Sequence, residues 1–246
     1  MEIFIPAIIS AATSLTVVIV TYVMTSRREA RLKEQQERER VNQEYLNPLR
    51  LYLVENYFRL REILTRVQEG NGRCAWLLYV EHARDLSSQS AEWFNGEGAY
   101  LISSSYLTAC LFCYMSKVRQ DFPYLRLADQ DDTKLFTLML KVNLGFLKEL
   151  SIFYVTQPSI GNDLYLRQEN RLLTYREFCQ VLQDPEKRVW FDRLLAYYLE
   201  TGQGQHLERV EQALAAILEL TNFLDQVVGG GSSIKDRLEA EGIRAL

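Results

Sequence analysis

An uncharged run from Ile3 to Met24, IFIPAIISAATSLTVVIVTYVM, constrains this chain more than any other feature. At about 1.5 Å per helical residue its 22 residues cover roughly 33 Å, against a hydrocarbon core of about 30 Å. Residues 1–25 therefore read as one transmembrane helix, with Pro6 in its first turns, where a missing N–H is tolerated. Arg27, Arg28, Arg31 and Lys33 follow the run while only Glu2 precedes it. That asymmetry predicts these four cations at the membrane surface and the downstream domain on the cytoplasmic side. A cleaved secretory signal has the reverse order, basic residues before a shorter core. The expectation is a single-pass cell-membrane protein whose first partner is the lipid bilayer. Ala7, Ser10, Ala11 and Ser14 gather small side chains on one side of the helix, a face that lets two spans approach and favours self-association.

Residues 26–46 alternate in charge sign and have almost no apolar face, which predicts a solvated helical stalk held by pairs such as Glu34 with Arg38. Asn47 and Pro48 then signal a helix start, a cap followed by a proline in the first turn. Leu49, Leu53, Tyr57, Leu60, Leu64 and Val67 lie on one face of that helix, which ends near Gly70 to Gly72. Span, stalk and the YLNPLR segment (Tyr45 to Arg50) together resemble a loose set of uncharacterised bacterial membrane-anchored helical proteins. The resemblance implies a topology and an all-helical domain, and carries no activity, ligand or catalytic residue with it.

Residues 47–228 read as an all-α, bundle-like domain. The segment 74–84 suggests a short helix. Gly98 to Ser116 is a second uncharged stretch, but its serines, threonine and tyrosines suit a protein core better than lipid, so a buried helix ending before Pro123 is expected. A largely apolar helix follows from Asp132 or Thr133 to about Val155, with Lys134, Lys141 and Lys148 as its charged stripe. Pro158 to Asn162 reads as a loop. Thr174 opens a short helix, and Asp184 with Pro185 opens another that carries Val189, Trp190, Phe191 and Leu194 to Gly202. Leu207, Val210, Leu214, Ile217, Leu224 and Val228 recur at helical spacing, with Thr221 filling the missing step, and form a coiled-coil-like seam. Residues 229–246 read as a Gly-Ser hinge and a short amphipathic tail.

Residues 41–246 carry a net charge of −5, without the basic footprint of a general nucleic-acid binder. Cys110 and Cys113 form a C-x-x-C inside the apolar TACLFCYM, a place for buried thiols rather than an exposed redox pair, and no further ligands complete a zinc set. His82 and His206 belong to no hydrolase or metalloprotease motif. No catalytic, cofactor-binding or metal-binding residue is nominated. Tyr45, Tyr52, Tyr57, Trp76, Tyr79, Trp93, Phe94, Tyr100 and Tyr106 are dense in the first half and either pack a core or line a groove. The expected function is a membrane-tethered scaffold or adaptor acting through a protein partner or self-association; the alternative is an enzyme or small-ligand sensor with a pocket among the aromatic helices.

Overall fold

Six apolar residues at spacings of three and four give helix α2 (Asn47–Glu69) a face that must be covered, and all six are buried. The computed structural model describes the backbone of residues 4–125, 131–147 and 152–228 with Ile234 and Asp236. Side chains are described for the same residues from Val17 onward, apart from 121–125. Among the described residues there are ten α-helices and one two-stranded ribbon, so the chain is all-α. It divides into two units, Met1–Glu44 and Tyr45–Leu246.

The first unit is built on α1 (Phe4–Val41), a continuous helix of 38 residues. Its polar half is laced as its charge pattern predicts. Arg38 meets Glu34 at 2.9 Å, and Arg40 meets Glu37 at 2.6 Å and Glu44 at 2.7 Å. The membrane reading is corrected here, because among the described residues no helix is long and apolar enough to cross a membrane. The predicted single-pass topology and cell-membrane location lose their basis with it. Arg27, Arg28, Arg31 and Lys33, assigned to a membrane surface, are exposed positions along α1. The side chains of Ala7, Ser10, Ala11 and Ser14 lie outside the described residues.

In the second unit α4 (Ala99–Leu125) is the central element, packed against α2, α6 (Thr156–Asp163) and α9 (Asp192–Gly202). The uncharged stretch 98–116 is thus a core helix, with Leu101, Ile102, Ala109 and Leu111 buried. The helix runs past Pro123, which near its end removes only one bond of the ladder. α5 (Asp131–Gly145) ends ten residues before the predicted Val155. Pro158 and Gly161, read as loop, lie inside α6: the proline sits in the first turn, where its missing donor is harmless, and the glycine lets α6 touch α4. A Cβ at Gly161 would fall 2.3 Å from the backbone nitrogen of Cys113. Gly145 plays the same part between α5 and α10 (Leu207–Val228), where a Cβ would stand 2.6 Å from the Ala213 Cα.

The seam predicted on α10 closes within its own chain, against α5 and α2. Val210, Leu214, Ile217 and Leu224 are buried, with Leu207 and Val228 half-buried at its ends. Thr221 is also buried, its hydroxyl donating to the Ile217 carbonyl at 2.8 Å. Two lysines of the charged stripe reach α10: Lys141 pairs with Glu219 at 2.7 Å, and Lys134 lies 4.9 Å from the Phe223 ring centre. Lys148 lies outside the described residues, as does the predicted hinge, Gly229 to Ser233. Asn47 does not cap α2, because a π-helical turn (Asn42–Leu46) runs directly into that helix. In place of the short helix at 74–84 the chain makes two 3-10 turns, Ala75–Leu77 and Ala83–Ser88.

Candidate interaction site

Two groups of aromatic residues in the second unit stand out, one inside the bundle and one at its surface. The first lies where α2 and α4 run antiparallel. Tyr52 stacks on Tyr114 with ring centres 5.5 Å apart. One turn along, Asn56 donates to the Tyr52 and Leu107 carbonyls at 2.7 and 3.0 Å and accepts from Thr108 Oγ1 at 2.6 Å. The Thr108 hydroxyl also meets that of Tyr198 on α9 at 2.5 Å. Further along, Arg59 donates to Ser103 and Ser104 and lies 4.4 Å over the Tyr100 ring, and Tyr100 donates to Glu62 at 2.9 Å. At the other end Lys117 sits 4.2 Å from the Tyr165 ring centre and 5.5 Å from that of Tyr114.

Polar groups in this seam meet one another, as buried polar groups must if they are not to lose their hydration without compensation. Burial raises the hydroxyl pKa of Tyr52, Tyr100, Tyr106 and Tyr114 above the ordinary phenol range. Burial also pushes the Cys110 thiol up to about 12 and the Cys113 thiol up to about 11. At neutral pH these thiols carry no appreciable thiolate, the form that attacks or ligates. Tyr52, Tyr100, Tyr106 and Tyr114 are thus engaged with neighbouring side chains, whereas Trp76 and Tyr79 are exposed.

The second group is built by the chain around α8. Thr174 and Glu177 form a capping box that starts α7 (Tyr175–Gln183), and Arg171 closes on the Glu177 carboxylate at 2.7 and 2.8 Å. Asp184 then caps α8 (Pro185–Arg188), accepting from the Glu186 N–H at 3.1 Å while holding Lys187 at 3.1 Å. Arg188 is buried at 7% exposure, donating to Asp192 at 3.1 Å, to the Arg84 carbonyl at 3.2 Å and to the Ser87 hydroxyl. That anchor ends the helix after one turn. The predicted continuous helix from Pro185 to Gly202 is broken at Val189 to Phe191, and α9 begins only at Asp192. Phe191 turns inward, edge-on to Phe178 with centres 5.2 Å apart.

Val189 and Trp190 turn outward, 53% and 65% exposed. Beside them lies a concavity of about 480 Å³ between α6, α7 and α8, lined by Ser159, Asp163, Val181, Glu186, Lys187, Trp190 and Phe191. Asp163 stands on its α6 wall, where partial burial lifts its carboxyl above the usual range. Other concavities among the described residues include a groove of about 390 Å³ between α2 and α10, with Tyr57, Arg61 and Glu211, and one of about 320 Å³ between Phe94 and Cys179. Among the described residues no three His, Cys, Asp or Glu are grouped to hold a metal ion.

Sequence reasoning placed Trp190 within one continuous helix opened by Asp184 and Pro185. The signal for its outward turn is the run Val189-Trp190-Phe191, because three consecutive residues about 100° apart cannot share one helical face. No protein-family model, curated protein or solved structure matches this chain.

Proposed function

We propose that this chain is a helical interaction module, a scaffold or adaptor that works by holding a protein partner. The observation that carries the reading is the exposed Val189-Trp190 pair at the edge of a concave surface. A tryptophan standing in water forgoes the burial that would stabilise it by about 2–3 kcal/mol, and a large aromatic beside a concavity is the usual anchor of a protein contact. Its backbone is fixed on both sides, by the Arg188 anchor and by the buried Phe191, so little ordering entropy is lost when a partner docks. The polar groups of the α2–α4 seam are engaged with one another, whereas the Trp190 ring is 65% exposed.

Quantitative affinity capture from an extract of the source cells, with the full chain as bait, tests this. The expected result is a defined protein recovered by the wild type and lost with either Trp190→Glu or Val189→Glu, while the thermal unfolding of both variants stays close to wild type. Equal recovery by both variants, or no recovery above background, contradicts the reading. The α2–α10 groove supports a second reading, a small-ligand sensor, because its volume is within the range of ligand sites and Arg61 and Glu211 supply charge. A rise in melting temperature with a small acidic metabolite, abolished by Leu214→Trp filling the groove, would favour it.

A further inference from the structure

The geometry points to the class of partner: the Trp190 corner receives a basic peptide segment, with an arginine laid across the indole and its guanidinium held by Asp163 and Glu186. The inference rests on the interaction reading above and specifies its chemistry. Three charged side chains line the concavity, and Lys187 is tied to Asp184 at 3.1 Å. Asp163 and Glu186 have no ion pair among the described residues, so the charge left facing an incoming ligand is negative. Glu186 stands on α8 and Asp163 at the end of α6, on two different walls of the same cavity as Trp190.

An exposed indole favours a cation over its face, and it favours a guanidinium most, because that group is planar and weakly hydrated. The forked donors of arginine then reach two acceptors at once, which a lysine ammonium does with less geometric match. Val181 and Val189 add apolar surface suited to the methylene stem and to a neighbouring aliphatic residue. Partial burial already disfavours the Asp163 carboxylate before any ligand arrives; a counter-charge offsets that cost and a like charge adds to it. An acidic segment is therefore rejected at the same place that a basic one is held.

The test is fluorescence anisotropy of a short labelled peptide of repeated Ala-Arg-Leu titrated with the full-length chain, with repeated Ala-Lys-Leu and Ala-Glu-Leu as controls. Saturable binding of the arginine peptide is expected, weaker with lysine and absent with glutamate. The double variant Asp163→Asn/Glu186→Gln, isosteric at both positions, is expected to weaken it about tenfold, and Trp190→Ala by at least about tenfold. Raising salt should weaken it further in the wild type and scarcely at all in the double variant. Binding of the glutamate peptide equal to that of the arginine peptide, unchanged affinity in the double variant, or no binding of the arginine peptide overturns the inference. If partner capture nonetheless depends on Trp190, the interaction reading stands with a partner of different chemistry; if it does not, both fall.

Discussion

The tyrosines between α2 and α4 and the tryptophan after α8 are large aromatics of one helical unit, set in opposite surroundings. Tyr52, Tyr100, Tyr106 and Tyr114 lie half-buried against neighbouring helices or the β ribbon, each in contact with another ring, a cation or a thiol. Trp190 has its backbone fixed and its ring in solvent. The difference comes from the elements around them and not from residue type. Where two long helices run side by side the rings and hydroxyls of each complete the other, whereas after the single-turn helix anchored by Arg188 the next two side chains are more than half exposed.

If that contrast is right, substitutions in the seam should change stability and those at the corner should change binding. The largest effect belongs to Asn56→Ala. It removes the buried side chain that donates to the Tyr52 and Leu107 carbonyls and accepts from Thr108, and should cost about 1–3 kcal/mol in urea unfolding. Next come the adjacent tyrosines of α9. Tyr198→Phe breaks the bond to Thr108 and should cost about 1 kcal/mol. Tyr197→Phe removes a buried hydroxyl with no partner among the described residues and should be neutral or stabilising by up to about 1 kcal/mol. Equal losses at both positions would break the claim that satisfaction, more than aromatic packing, distinguishes them.

The capping box offers a smaller, pH-dependent test. Arg171 and the Thr174 N–H hold Glu177 well below its ordinary 4.5, at about 2. A carboxyl depressed on folding stabilises above its unfolded pKa, and that contribution fades as pH falls through the folded value. The difference in stability between wild type and Glu177→Gln should thus be full above about pH 4.5 and vanish toward about pH 2. An exposed pair of this kind should also weaken with salt. Smallest of all in stability, Trp190→Ala should shift unfolding by no more than about 0.5 kcal/mol while abolishing partner capture.

Local periodicity made several elements legible in the sequence. The buried face of α2, the Thr174 cap of α7 and the α10 seam all follow from residues within a few positions of one another. What stayed hidden depends on contacts distant in sequence. Gly161 looks like a loop residue until α4 is placed 2.3 Å from where its Cβ would be. The break after Arg188 is set by Arg84 and Ser87, about a hundred residues earlier, and no local pattern reports it. The membrane reading failed differently: it rested on the length of one uncharged run, and among the described residues no helix is long and apolar enough to cross a membrane. The candidate site was legible only as an anomaly, three apolar residues in succession where a two-faced helix was expected.

The most direct test places a photo-crosslinking phenylalanine analogue at position 190 in one full-length protein and at position 52 in another, with both irradiated in the same cell extract. The account predicts a discrete intermolecular product from position 190 and none from position 52, where the ring lies against Tyr114. A product from position 52 with none from position 190 would contradict it, and would return the α2–α4 aromatic seam to consideration as the binding groove.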